Sequence, residues 1–218
     1  MALDFKAIAI ADKHPVQDGL PEVLWRYPSL DAELEAALVE RLALVGQTKG
    51  SFMCSKYGNS WLYTLTAQDN AREPRAFTVV LVSSTFNPEA YTAVLRLLCQ
   101  IYHATGDPIP VLEAFLSLYA TGGYSRPGLP AFRLSSLQDE ATARTARSSL
   151  RDLVGKYGGA GATLLWSAVL QRKRLMALAN SPAALLRLLR ALPQLAWHRQ
   201  DWAPLRPLVA LLPPPPPG

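Results

Sequence analysis

Cysteine, histidine and glycine motifs are sparse in this 218-residue chain: two cysteines, Cys54 and Cys99, no CxxC pair, and three isolated histidines, His14, His103 and His198. That usage argues against a disulfide framework or a zinc site, and both cysteines read as small buried hydrophobes. No apolar run approaches the ~20 residues of a spanning helix, and no charged, apolar, small-residue leader opens the chain. A soluble, intracellular protein is expected. Walker-type phosphate loops, GxGxxG, GxSxG, HExxH and EF-hand patterns are absent, which leaves an enzyme without its usual anchors. No cofactor or metal is expected.

What is present is an apolar half, 50% of residues, enough for a sizeable core, and an uneven charge. Residues 1–140 carry 11 Lys and Arg against 15 Asp and Glu, whereas residues 141–218 carry 11 against 2. Two modules follow from that asymmetry. The basic one would face an acidic partner, a lipid headgroup, a nucleic acid or an acidic protein surface, unless its arginines only solvate leucine-rich helices.

Along the chain, Phe5–Ala11 and Glu22–Tyr27 read as a strand pair, and "AELEAALVERLAL", capped by Ser29 or Asp31, as an amphipathic helix burying Leu34, Leu38, Leu42 and Val45. Strands follow on either side of Gly58-Asn59 and again at Ala76–Ser84. The start of the next helix is well marked: Asn87 as N-cap, Pro88 at the first position, Glu89 in the first turn, and Phe86 with Tyr91 as a hydrophobic staple. Tyr91, Val94, Leu95, Leu98 and Tyr102 would seat it on the sheet. A helix from Pro110 to Thr121 ends at Gly122-Gly123.

The second module opens with a helix over residues 139–159 and a further one through Gln171. After the basic turn Arg172-Lys173-Arg174, the residues Leu175–Ala179 read as a short buried strand. Ser181 and Pro182 start a helix with Leu185, Leu188, Leu189 and Leu192 inward and Arg187 and Arg190 outward. The chain closes on a polyproline tail. In "LPQLAWHRQDW", His198 and Asp201 are of the types an acid–base pair would use, and Trp197 and Trp202 could stack on a base. The plainer reading has the tryptophans in the core and the polar residues at its edge.

Four ordered stretches carry a resemblance: "EVLWRYPS" (Glu22–Ser29), "FNPEAY" with "LLCQIY" (Phe86–Tyr102), "LRDLVGKYG" (Leu150–Gly158) and "LPQLAWHRQDW" (Leu192–Trp202). Through them the chain resembles the DENN-domain family. The resemblance implies an α/β (α+β) fold: a longin-like lobe over residues 1–123, a linker over 124–140, a partial central α/β lobe over 141–212, and the tail 213–218. It also implies guanine nucleotide exchange on a Rab-family GTPase, by stabilising the nucleotide-free state rather than by chemistry of its own. Arg172, Lys173, Arg174, His198, Arg199 and Asp201 are the partner-binding candidates; Phe86, Asn87, Pro88, Tyr91 and Trp197 are read as structural. Late-endosome and multivesicular-body traffic, and a recycling complex of COMMD and coiled-coil subunits, belong to the same implication, with no nucleic acid among the partners. Past Trp202 the resemblance fades, as in a short form lacking the C-terminal part. A membrane-surface module built on Arg187 and Arg190 remains the alternative, followed by an enzyme using His198 and Asp201.

Overall fold

The computed structural model describes residues 4–13, 21–44, 52–68, 76–137, 149–180 and 182–196. In chain order these form β1 (Ala7–Lys13), β2 (Glu22–Tyr27), α1 (Ala32–Leu44), β3 (Phe52–Tyr57), β4 (Ser60–Gln68), β5 (Ala76–Ser83), α2 (Pro88–Thr105), α3 (Pro108–Thr121), β6 (Gly123–Tyr124) and β7 (Phe132–Arg133). Then follow α4 (Leu150–Leu170) and α5 (Pro182–Ala191), with short 3-10 turns at Leu134–Ser136 and Leu192–Ala196. The first five strands make one sheet in the order β2-β1-β5-β4-β3, every pairing antiparallel. Mixed α/β architecture with an antiparallel sheet is therefore observed.

Strand β5 lies at the centre, and each of its residues is buried. Its apolar run Val79–Val82 is what a strand covered on both faces requires, and the one polar side chain before it, Thr78, is buried with its hydroxyl 3.0 Å from that of Thr66. On one face, Ile8, Ile10, Tyr63, Leu65, Val79 and Leu81 pack against Tyr91, Leu95 and Leu98 of α2 and Phe115 of α3. On the other, Ala9, Ala11 and Val80 meet Leu38 and Leu42 of α1, while Ala7, Leu62 and Val82 meet Leu34. The alanines of β1 are all on the α1 side, so a single helix can sit close to the sheet there. Asp31, rather than Ser29, caps α1: its Oδ1 accepts from Leu34 N–H at 2.7 Å. Val45 lies outside the described residues.

A bulge adjusts the β2 edge. Ile10 pairs with Trp25 and Ala11 with Val23, so Leu24 is the extra residue. Trp25 consequently packs on the α2 side and Val23 on the α1 side, although they are two apart. Without the bulge, the period-2 pleat would send both to one face. Arg26 of β2 is held to Glu35 of α1 at 2.7 Å, which ties this edge to the helix. At the other edge, β3 and β4 are joined through Gly58-Asn59, where Gly58 adopts φ 54°.

The basic module is less enclosed. Ser149 and Asp152 form a reciprocal capping box at the start of α4; the expected earlier part, residues 139–148, lies outside the described residues. Gly158 interrupts α4 with φ 70° and ψ 173°, a backbone region that only glycine enters readily, so the two halves meet at a kink. Leu153, Ala162, Ala191 and Leu192 form a small separate core, with Leu188 and Leu189 packed on it. The expected buried strand at Leu175–Ala179 is not formed. Residues 173–179 have no regular structure, and Met176 and Leu178 are 77% and 84% exposed. An apolar run of five residues fits strand and loop alike until a neighbouring strand supplies hydrogen bonds, and none does among the described residues.

Candidate functional site

The described chain is organised around the junction where β5 hands over to α2. Asn87 takes the N-cap position, its Oδ1 accepting from Ala90 N–H at 3.3 Å, and Pro88 enters the first turn where its missing N–H costs nothing. The two rings of the expected staple each rest on a β4 aromatic: Phe86 on Trp61, with centroids 4.5 Å apart, and Tyr91 stacked on Tyr63 at 4.3 Å. The strand aromatics thus share in setting the entry of α2. The Tyr91 hydroxyl donates to the Asp4 carbonyl (2.9 Å) and lies 2.6 Å from Ser83 Oγ and 2.8 Å from Thr85 Oγ1. Tyr63 donates to the Thr85 carbonyl at 2.7 Å and accepts from Asn87 N–H at 3.0 Å. Burial pushes both phenols above their ordinary range. They are structural donors, not acids in reserve.

Arg190 departs from its expected outward position. Its guanidinium forms an ion pair with Glu89 in the first turn of α2, and both side chains are mostly buried. Burial lowers the Arg190 pKa, an effect opposed by nearby Cys54 and Tyr63, and an arginine remains a cation throughout. The helical period correctly turns Leu188, Leu189 and Leu192 toward the small core, but α5 also packs against β3, and Arg190 points to that second side. A helix wedged between two bodies has no single outward face. The pair sits in the seam between the sheet and the basic module, and Glu89 stands in the first turn of α2, where the positive end of the helix also favours a carboxylate. A lone arginine opposite a leucine stripe carries no sequence signal for such a contact.

Arg172, Lys173 and Arg174 are all exposed, in the turn directly after α4, with Arg172 at φ 53°. Trp197, His198, Arg199, Asp201 and Trp202 lie outside the described residues, as does His14. His103 is exposed in the last turn of α2. Cys54 and Cys99 are buried, and burial pushes both thiols up to about 12, so neither is a nucleophile near neutral pH. Among the described residues, no three His, Cys, Asp or Glu side chains converge as a metal site would require. No helix among them is long and apolar enough to cross a membrane.

No protein-family model matches the chain. Individual proteins do. DENN domain-containing protein 10 of Danio rerio is 32% identical over 196 residues, 86% of this chain and 55% of that protein. The Dictyostelium discoideum protein of the same name is 29% identical over 226 residues, 94% of this chain and 60% of that protein. The Homo sapiens protein is 32% identical over 203 residues, 89% and 56% respectively. The chain is therefore a homologue of the DENN-domain proteins of this name, and it spans a little over half the length of the curated relatives it matches.

Proposed function

We propose that the chain binds a Rab-family small GTPase in its GDP-bound or nucleotide-free form, as an exchange factor or as a binding relative of one. The observation that carries this reading is the similarity to DENN domain-containing protein 10 along 86–94% of the chain. The architecture supports it: a five-stranded antiparallel sheet with one helix on one face and two on the other, followed by a basic helical segment, is the arrangement a longin-like lobe would need. Exchange of this kind needs no acid, base or metal. The protein binds the nucleotide-free GTPase more tightly than the loaded one, and that difference in affinity loosens the nucleotide. In this reading residues 1–123 form the longin-like lobe, 124–140 the linker, 141–212 a partial α/β lobe and 213–218 a tail. Exposed Arg172, Lys173 and Arg174, with His198, Arg199 and Asp201, are its proposed contact residues. A cytoplasmic protein, peripheral on late endosomes and in contact with the COMMD and coiled-coil recycling machinery, completes the proposal.

The deciding measurement is release of a fluorescent GDP analogue from a panel of loaded Rab proteins, with and without the chain, alongside pull-down on each Rab stripped of nucleotide. Accelerated release from one Rab establishes exchange. Retention of a stripped Rab without acceleration establishes the binding relative. Neither effect on any member of the panel refutes the proposal.

A further inference from the structure

We propose that the run Arg172 to Leu178, whose three cations the Rab reading also offers as contacts, is a docking edge for an anionic lipid surface, a role that does not depend on that reading and is tested without a Rab. Three consecutive cations, Arg172, Lys173 and Arg174, are exposed and run directly into Leu175, Met176 and Leu178, of which Met176 and Leu178 stand almost wholly clear of the protein. Such a juxtaposition is costly in water and well matched to a bilayer interface, where apolar side chains enter below the phosphates while the cations remain level with them. The backbone after the turn has no regular structure and pairs with no neighbouring strand among the described residues, so the side chains can settle into the interface without unfolding anything.

The surrounding charge points the same way. Across residues 149–196 the only acid is Asp152, and its carboxylate is engaged by the Ser149 backbone N–H and hydroxyl. Arg151, Lys156 and Arg187 are exposed on the same module, so its field is uniformly positive, which favours an anionic over a zwitterionic membrane. Trp166 near the end of α4 is also exposed, the residue type enriched at headgroup level. Met and Leu offer no ring on which a nucleic-acid base could stack, so a lipid surface suits this edge better than a nucleic acid. The structure also moves the membrane candidate: Arg190, half of the earlier basic-helix alternative, is committed to Glu89.

The test is co-sedimentation of the full chain with phosphatidylcholine vesicles, with and without phosphatidylserine, across a salt series. Binding is expected only with phosphatidylserine, and to weaken as salt screens it. Charge reversal at Arg172→Glu, Lys173→Glu and Arg174→Glu together should lower affinity by two orders of magnitude or more, roughly what loss of three surface cations implies. The pair Met176→Ser and Leu178→Ser should weaken it by about tenfold or more. All five positions are exposed, so melting curves by circular dichroism should stay unchanged. Equal binding to both vesicle types, no binding, or indifference to either variant overturns the proposal. So does a dimer seen by light scattering that the Met176→Ser, Leu178→Ser pair dissolves while vesicle binding is absent, because a second copy would then cover the edge.

Discussion

Replacing Tyr91 by phenylalanine isolates what the hydroxyl cluster at the β5–α2 junction contributes. The ring can keep its stack on Tyr63 and its edge contact with Phe5 at 5.6 Å, so little cavity opens. What is lost is the oxygen shared by Ser83, Thr85 and the Asp4 carbonyl. Ser83 is fully buried and the substituted ring offers no replacement acceptor or donor. At a net ~0.5–1.5 kcal/mol per hydrogen bond, with an added penalty for stranding buried partners, the loss is expected to be about 1–3 kcal/mol. In a chain of this size that lowers the melting temperature by roughly 2–4 °C per kcal/mol. Urea unfolding followed by circular dichroism would read it, with exposed Tyr119→Phe as a control expected to stay within ~0.5 kcal/mol of the parent. If Tyr91→Phe is as neutral as the control, the cluster does not hold the junction and the argument fails.

Asn87→Ala should cost about 1 kcal/mol, typical of a lost N-cap, with Rab binding unchanged; lost binding at unchanged stability would assign Asn87 to the partner instead. A double-mutant cycle of Glu89→Gln and Arg190→Met should return a coupling of about 1–2 kcal/mol, and additive effects would mean that the two groups do not interact. Iodoacetamide should spare Cys54 and Cys99 in the folded chain at pH 8 and label both in urea. Because burial raises their folded-state pKa toward about 12, they favour the fold at neutral pH and cease to do so as pH climbs above the ordinary thiol range, so stability should decline on the alkaline side. Amide exchange should be faster in α4, where Leu153 and Ala162 are the buried residues, than in β1 and β5; equal protection would show that the basic module is held as firmly as the sheet.

Much of the fold could be read from local chemistry. Asn87-Pro88 marks a helix start because one residue supplies an acceptor and the next needs no donor, and both act within a single turn. Period-2 and 3.6-residue patterns likewise locate β2, α1 and α2, since each records which side of an element avoids water. The four quoted stretches carry the kinship to DENN-domain proteins. Tertiary structure alone decided the rest. Leu24 becomes a bulge through its pairing with β1, and no property of "EVLWRY" by itself says that Val23 and Trp25 part to opposite faces. Leu175–Ala179 has the composition of a strand and, among the described residues, lacks a neighbour to complete its hydrogen bonds. Arg190 looks like a solvent-facing arginine on a leucine helix until that helix is seen to touch two bodies. In each case the energy lies in a contact with a distant segment, and a pattern confined to one element cannot report the partner it will meet.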